Sequence, residues 1–249
     1  MKPGGFRALG VYLAQIPIVV ACAAGWIPFH PIVVVLPLVV LLSAKVEGRG
    51  WEGLGLVVVR PGRSFLLALV LAALAFGGHL IALRLEAVPL RFPPLTATVL
   101  TGLIRDLAVD VFIIALWEEI VSRGYIQTRL QEEWGFWGMI VATVLFASLH
   151  LPSALLDQRW CCSLVLSRLL QTGLSGFMLG YVYWRTRSVP ATIAVHGLRN
   201  FALTLTGYLS DLPPAQILAS QIPFQLAWLM GQVVLMVLAV RLLFGGGDV

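Results

Sequence analysis

Charge is what this chain has least of. Asp, Glu, Lys and Arg make up 12% of its 249 residues, against ~25% in a soluble domain. With 59% hydrophobic residues, that shortage excludes an ordinary water-soluble domain and predicts a polytopic membrane protein. Cysteine is scarce as well. Cys22, Cys161 and Cys162 show no CxxC spacing and no metal-ligand pattern, so they read as ordinary residues of the apolar phase. Internal repeats, low-complexity stretches and a soluble domain are missing too. The N-terminus starts basic, like a signal peptide, but its apolar run continues and no A-x-A site closes it, so it reads as a first span. A net charge of +5 could suggest nucleic acid. The Lys and Arg residues, however, are scattered beside apolar runs and serve better as topology signals, so no nucleic-acid partner is expected.

What remains is a succession of long apolar runs. About 20 such residues cross a bilayer, which places spans near 8–28, 30–45, 64–85, 98–125, 136–151, 163–184, 189–208 and 219–242. The expected fold is all-α, a polytopic transmembrane helix bundle of about eight spans with a site inside the membrane. The second span is short and holds Pro31 and Pro37. The loop at 46–63 reads as a surface segment whose GLGLVVVRP end lies in the membrane interface, and Pro89, Pro93 and Pro94 keep 86–97 from being helical throughout. Eight spans put both termini on one side. That side would hold Lys2, Arg7, Lys45, Arg49, Arg60, Arg63, Arg129, Arg185, Arg187 and Arg241, and the other chiefly Arg84, Arg91 and Arg159. The positive-inside rule then makes both termini cytoplasmic. As to organisation, 1–97 and 211–249 read as flanking spans and 98–210 as the functional core, within one structural domain overall.

Three polar clusters break the apolar pattern: Glu118 and Glu119 with Arg123, His150, and His196 with Asn200. A charge at membrane depth costs at least ~2.5–3.5 kcal/mol on insertion scales, and it is tolerated mainly where it faces a protein interior or a wet cavity. Two adjacent acids also repel, which tends to hold one protonated. Depths follow from a rise of ~1.5 Å per residue. From Glu119 the chain descends about 15 residues to a turn at Trp134–Gly135 and climbs about 14 to His150, so both lie ~20 Å above that turn. His196 enters its span from the Arg185–Arg187 boundary and reaches a similar level, with Asn200 one turn on along the same face. Plainer readings exist for each cluster. Glu119 and Arg123 have the i,i+4 spacing of a helix salt bridge. His150, just before Pro152, could satisfy helix-end carbonyls, and His196 with Asn200 could join helices. His30 and His79 lack such company and read as interfacial or packing residues.

Taken together, the clusters suggest chemistry. A carboxylate can take a proton from water, and a histidine can hold that water or relay the proton. A second histidine and an amide can donate hydrogen bonds to a tetrahedral oxyanion. This is equipment for peptide hydrolysis without a protein nucleophile. Gly173-Leu-Ser175-Gly176 offers a serine alternative like the rhomboid GxSG, but His196 follows in the neighbouring span, and Gly176 with Gly180 also forms a GxxxG packing motif.

In order, the clusters are EEIVSR (Glu118–Arg123), FASLH (Phe146–His150) and HGLRN (His196–Asn200). They resemble the EExxxR, FxxxH and HxxxN motifs of the CPBP family, the CAAX-protease and bacteriocin-processing membrane proteins. The lead-in YWRTRSVPATIAV is also similar, and the likeness covers about 111–205. The resemblance implies a glutamate-dependent intramembrane endopeptidase. Glu118 would activate water, His150 would help hold it, and His196 and Asn200 would form the oxyanion hole, with Glu119, Arg123 and Phe146 in support. Members have been classed as metalloproteases, and two histidines with a glutamate could ligate zinc. No HExxH is present and the glutamic mechanism needs no ion, so no cofactor is expected. The expected partners are the lipid bilayer and a protein or peptide substrate, lipidated or not, in a prokaryotic cytoplasmic membrane. A non-catalytic immunity or binding role and a proton-coupled transporter are the alternatives.

Overall fold

The computed structural model describes residues 3–26, 30–157, 161–210 and 222–245, and these residues form helices joined by short connections, with no strand among them. The expected all-α membrane bundle is what the chain forms. In order the helices are α1 (Pro3–Ala23), α2 (His30–Val46), α3 (Pro61–Leu85), α4 (97–134), α5 (Phe136–Ser148), α6 (Leu151–Asp157), α7 (Cys162–Thr186), α8 (Val189–Tyr208) and α9 (Ile222–Phe244). Each of the eight spans expected from sequence corresponds to a helix, α5 and α6 being two arms of one broken stretch. Lys2, Arg159, the side chain of His30 and residues 219–221 of the last expected span lie outside what is described.

Five helical stretches are long and apolar enough to cross a membrane: Pro3–Ala23, Pro61–Leu85, Phe136–Leu156, Cys162–Thr186 and Ile222–Phe244. The chain is an integral membrane protein. The two long helices outside that set, α4 and α8, are those that carry Glu118, Glu119, His196 and Asn200.

The chain divides into two compact units, one of residues 1–59 and 117–192, the other of 60–116 and 193–248. In the first unit, the end of α4 turns back into α5 at Gly135, whose φ of 55° and ψ of −127° suit glycine. Gly138 then lies so close to the Leu130 carbonyl that a Cβ would overlap it at 2.3 Å. The expected turn at Trp134–Gly135 is therefore a tight helical hairpin. The GLGLVVVRP segment has its own partner in this unit. It docks onto the turn between α7 and α8, where the Val189 N–H donates to the Gly55 carbonyl (2.7 Å) and the Ser188 hydroxyl donates to the Val57 carbonyl (2.6 Å). These backbone carbonyls are satisfied by protein.

Glu47, just past α2, ties this unit together. Its carboxylate accepts from the Tyr125 hydroxyl (2.6 Å) and from Arg129 Nε (3.0 Å) and Nη2 (2.6 Å), with Arg7 at 3.4 Å. Burial alone would raise this carboxyl, but the hydrogen bond from Tyr125 and the charges of Arg129 and Arg7 outweigh it and hold the group below the ordinary carboxylate range. A depressed native value adds stability that is complete above the unfolded value and is lost as pH falls through the native one. Glu47→Gln should therefore destabilise the protein at pH 7 by about 3 kcal/mol. It should also lose less stability than wild type between pH 7 and pH 4, which thermal melts in detergent across that range would show. Equal acid sensitivity in both proteins would remove Glu47 as a source of it.

The second unit pairs α3 with α9. Trp228 Nε1 donates to the Leu74 carbonyl (2.9 Å), and Arg63 Nη1 donates to the Leu243 carbonyl (2.7 Å) at the other end of the pair. The proline-bearing connection between α3 and α4 is not helical, as expected, and α4 starts at Thr96, whose hydroxyl accepts from the Val99 N–H (3.3 Å).

Candidate active site

Helix α4 changes its winding where it carries the acids. It is α-helical over Ala97–Ala108, π-helical over Val109–Ala115, α-helical for one turn at Leu116–Glu119, and π-helical again over Ile120–Gln127. π-Helical turns are rare and recur at functional sites. Glu118 and Glu119 thus sit on a single α-helical turn between two widened segments.

The two acids have different surroundings. Glu119 is fully buried and pairs with the equally buried Arg123 at 3.3 Å. The i,i+4 salt bridge legible in the sequence is therefore present, in the interior rather than at a helix end. Arg123 does more than balance Glu119. Its Nη2 donates to the Gly176 carbonyl of α7 (3.1 Å), and its guanidinium carbon lies 4.2 Å above the Phe146 ring. It also lies within electrostatic reach of Glu118. The repulsion expected between adjacent carboxylates is answered by this cation. Glu118 itself is only partly buried.

Phe146 passes the arrangement on to His150, with ring centroids 5.0 Å apart. The α5–α6 stretch breaks at this histidine. Its backbone N–H turns to the Ala147 carbonyl (3.1 Å), and its Nδ1 takes over the Phe146 carbonyl (3.0 Å). A carbonyl only accepts, so Nδ1 carries a proton, and in the neutral form of the ring Nε2 is then the acceptor. The plainer reading of His150, that it satisfies a helix-end carbonyl, is correct as far as it goes. The same bond fixes the tautomer.

Gly176 and Gly180 face α5 and α4, their carbonyls accepting from Arg123 and from Gln127 Nε2 (2.9 Å). The GxxxG spacing is thus used for close helix contact, as its packing reading expects. The lead-in to the third cluster has a part as well. Ser188 accepts from the Ala191 N–H (3.3 Å) at the start of α8, with Pro190 in the first turn, and Arg187 donates to Gln131 (2.9 Å).

His196 and Asn200 belong to the second unit, one turn apart on α8, His196 buried and Asn200 partly so. There the sequence reading overlooked Asp110. This residue is buried in the π-helical run VDVFIIA, accepts from the Thr204 hydroxyl (3.0 Å) and lies within electrostatic reach of His196. The signal was available, since an acid inside an apolar span is costly wherever it falls. His79 is buried on α3 in this unit. Among the described residues, no three His, Cys, Asp or Glu side chains are grouped to hold a metal ion.

Residues 100–202 match the family model described as type II CAAX prenyl endopeptidase Rce1-like. The match supports CPBP family membership for this segment. All the motif residues, from Glu118 to Asn200, fall inside it. No curated protein and no solved structure matches the chain. The family so described is one of membrane-embedded endopeptidases.

Proposed function

We propose that the chain is a glutamate-dependent intramembrane endopeptidase whose catalytic core is 98–210, acting on a membrane-associated protein or peptide, with or without a lipid modification. Glu118 is the general base. It takes a proton from a water whose other hydrogen is held by Nε2 of His150, and the oxygen attacks the scissile carbonyl carbon. His196 and Asn200 donate hydrogen bonds to the oxyanion that forms. As the tetrahedral intermediate collapses, the proton on Glu118 passes to the departing amine, which restores the carboxylate. Glu119, Arg123 and Phe146 hold the first two motifs in place.

The observation that carries this reading is the fixed tautomer of His150. A ring that donates from Nδ1 to a backbone carbonyl has its other nitrogen ready to accept from water, as a water-holding histidine must. We further propose that both termini are cytoplasmic and that the host membrane is a prokaryotic cytoplasmic one.

The test is terminus-resolved proteomics on native membranes carrying wild type or Glu118→Gln at equal abundance. Specific cleaved termini lost in the variant would identify the substrates. Identical termini in both would replace catalysis with a binding or immunity role. The reaction as written needs no metal. Treatment with 1,10-phenanthroline should therefore leave cleavage of a substrate so identified unchanged. A rate lost to the chelator and restored by zinc would put a metal in the mechanism.

A further inference from the structure

Within the second unit, α4 and α8 lie alongside each other, and their contacts run in reverse order along the two helices. The Tyr208 hydroxyl donates to Asp106 (2.6 Å), Thr204 donates to Asp110 (3.0 Å), and Gly197 meets Val111. The last contact brings the two backbones together. A Cβ on residue 197 would fall 2.7 Å from the Val111 Cα, so only a glycine lets the helices approach this far. The residues that precede this contact point on each helix are Asp110 and His196.

We infer that Asp110 is a positioning residue for His196, its carboxylate orienting the imidazole beside the tight Gly197–Val111 contact of α4 and α8. Three observations support this. Asp110 is buried in an otherwise apolar run, where a carboxylate is costly and normally has a specific partner. The hydrogen bond from Thr204 fixes the carboxylate on the side facing α8. The imidazole of His196 lies within its electrostatic reach. Asp106, one turn away, is different: it is paired at 2.8 Å with Arg105, an exposed residue. Tyr208 bonded to Asp106 already joins the two helices, so a second buried acid is not needed for packing alone. A carboxylate beside an imidazole selects its tautomer and ring orientation. His196 must present an N–H to the oxyanion, so that selection is the service it requires. The inference rests on the endopeptidase reading for its purpose, and on the geometry for the pairing.

Two readouts on the full-length protein in lipid vesicles separate these. The first is kinetic. Asp110→Asn keeps the shape and can still accept from Thr204, but it loses the charge. It should lower kcat by about 10²-fold, as small misplacements of catalytic groups do, with KM unchanged, and Asp110→Glu should recover part of the loss. The second is the nitrogen NMR spectrum of protein labelled in its four histidines, with His196 assigned by its absence in His196→Gln. The His196 ring resonances should move in Asp110→Asn and move less in Thr204→Val, which keeps the charge. An unchanged His196 spectrum in Asp110→Asn would overturn the inference even if the rate fell, because Asp110 would then serve helix packing only. Resonances that move in a protein that cleaves nothing, even as wild type, would keep the pairing and remove the endopeptidase reading.

Discussion

Purified Glu118→Gln should cleave a substrate at least ~10²–10⁴ times more slowly than wild type, the range that general acid–base catalysis contributes, while melting at the same temperature. The amide matches the carboxylate in size and can still hydrogen-bond to a water, so binding and fold are preserved. What it cannot do is receive the proton. Its neighbour is unable to substitute. Glu119 is fully buried and committed to Arg123 at 3.3 Å, and taking a proton there would strand the arginine. Glu119→Gln should accordingly show the opposite pattern, a protein damaged first in stability and only then in rate. Kinetics and melting curves on the same preparations would check both halves. A Glu118→Gln protein with the wild-type rate would remove Glu118 as base.

The sequence made the helices and the cluster positions legible for a simple reason. Apolar runs of bilayer length and isolated polar residues within them are one-dimensional signals. EEIVSR even announces its salt bridge, because i,i+4 neighbours meet on any helix. Other features are not written in spacing. That Arg123 also covers Phe146 and reaches the Gly176 carbonyl depends on which helices pack together. The π-helical turns that bracket Glu118 and Glu119 have no sequence signature. The composition of GLGLVVVRP does not show that Gly55 and Val57 offer their carbonyls to the start of α8, a contact set by tertiary structure. Asp110 was overlooked because a lone acid forms no motif. Its meaning comes from Thr204 and His196, nearly a hundred residues away in sequence.

Arg123→Met should lower stability more than the double replacement Glu119→Leu/Arg123→Met. Breaking a buried ion pair from one side leaves a charge with no counterpart and costs about 3–5 kcal/mol, whereas exchanging both members for apolar side chains of similar volume is often neutral or stabilising. The single variant also forfeits the contact with the Phe146 ring, worth ~0.5–2 kcal/mol, and the bond to the Gly176 carbonyl. Unfolding in detergent of wild type, both single variants and the double variant forms a thermodynamic cycle. A strong coupling energy is expected, and simple additivity would mean the pair contributes nothing as a pair. Activity should not follow stability in this series. The double variant regains the fold but has no guanidinium to lie over Phe146, the ring against which His150 rests. A stable protein with a poor rate is the expected result. Arg123 would then owe its place in the motif to carrying order from the acids to the histidine, since an apolar pair would serve the fold as well.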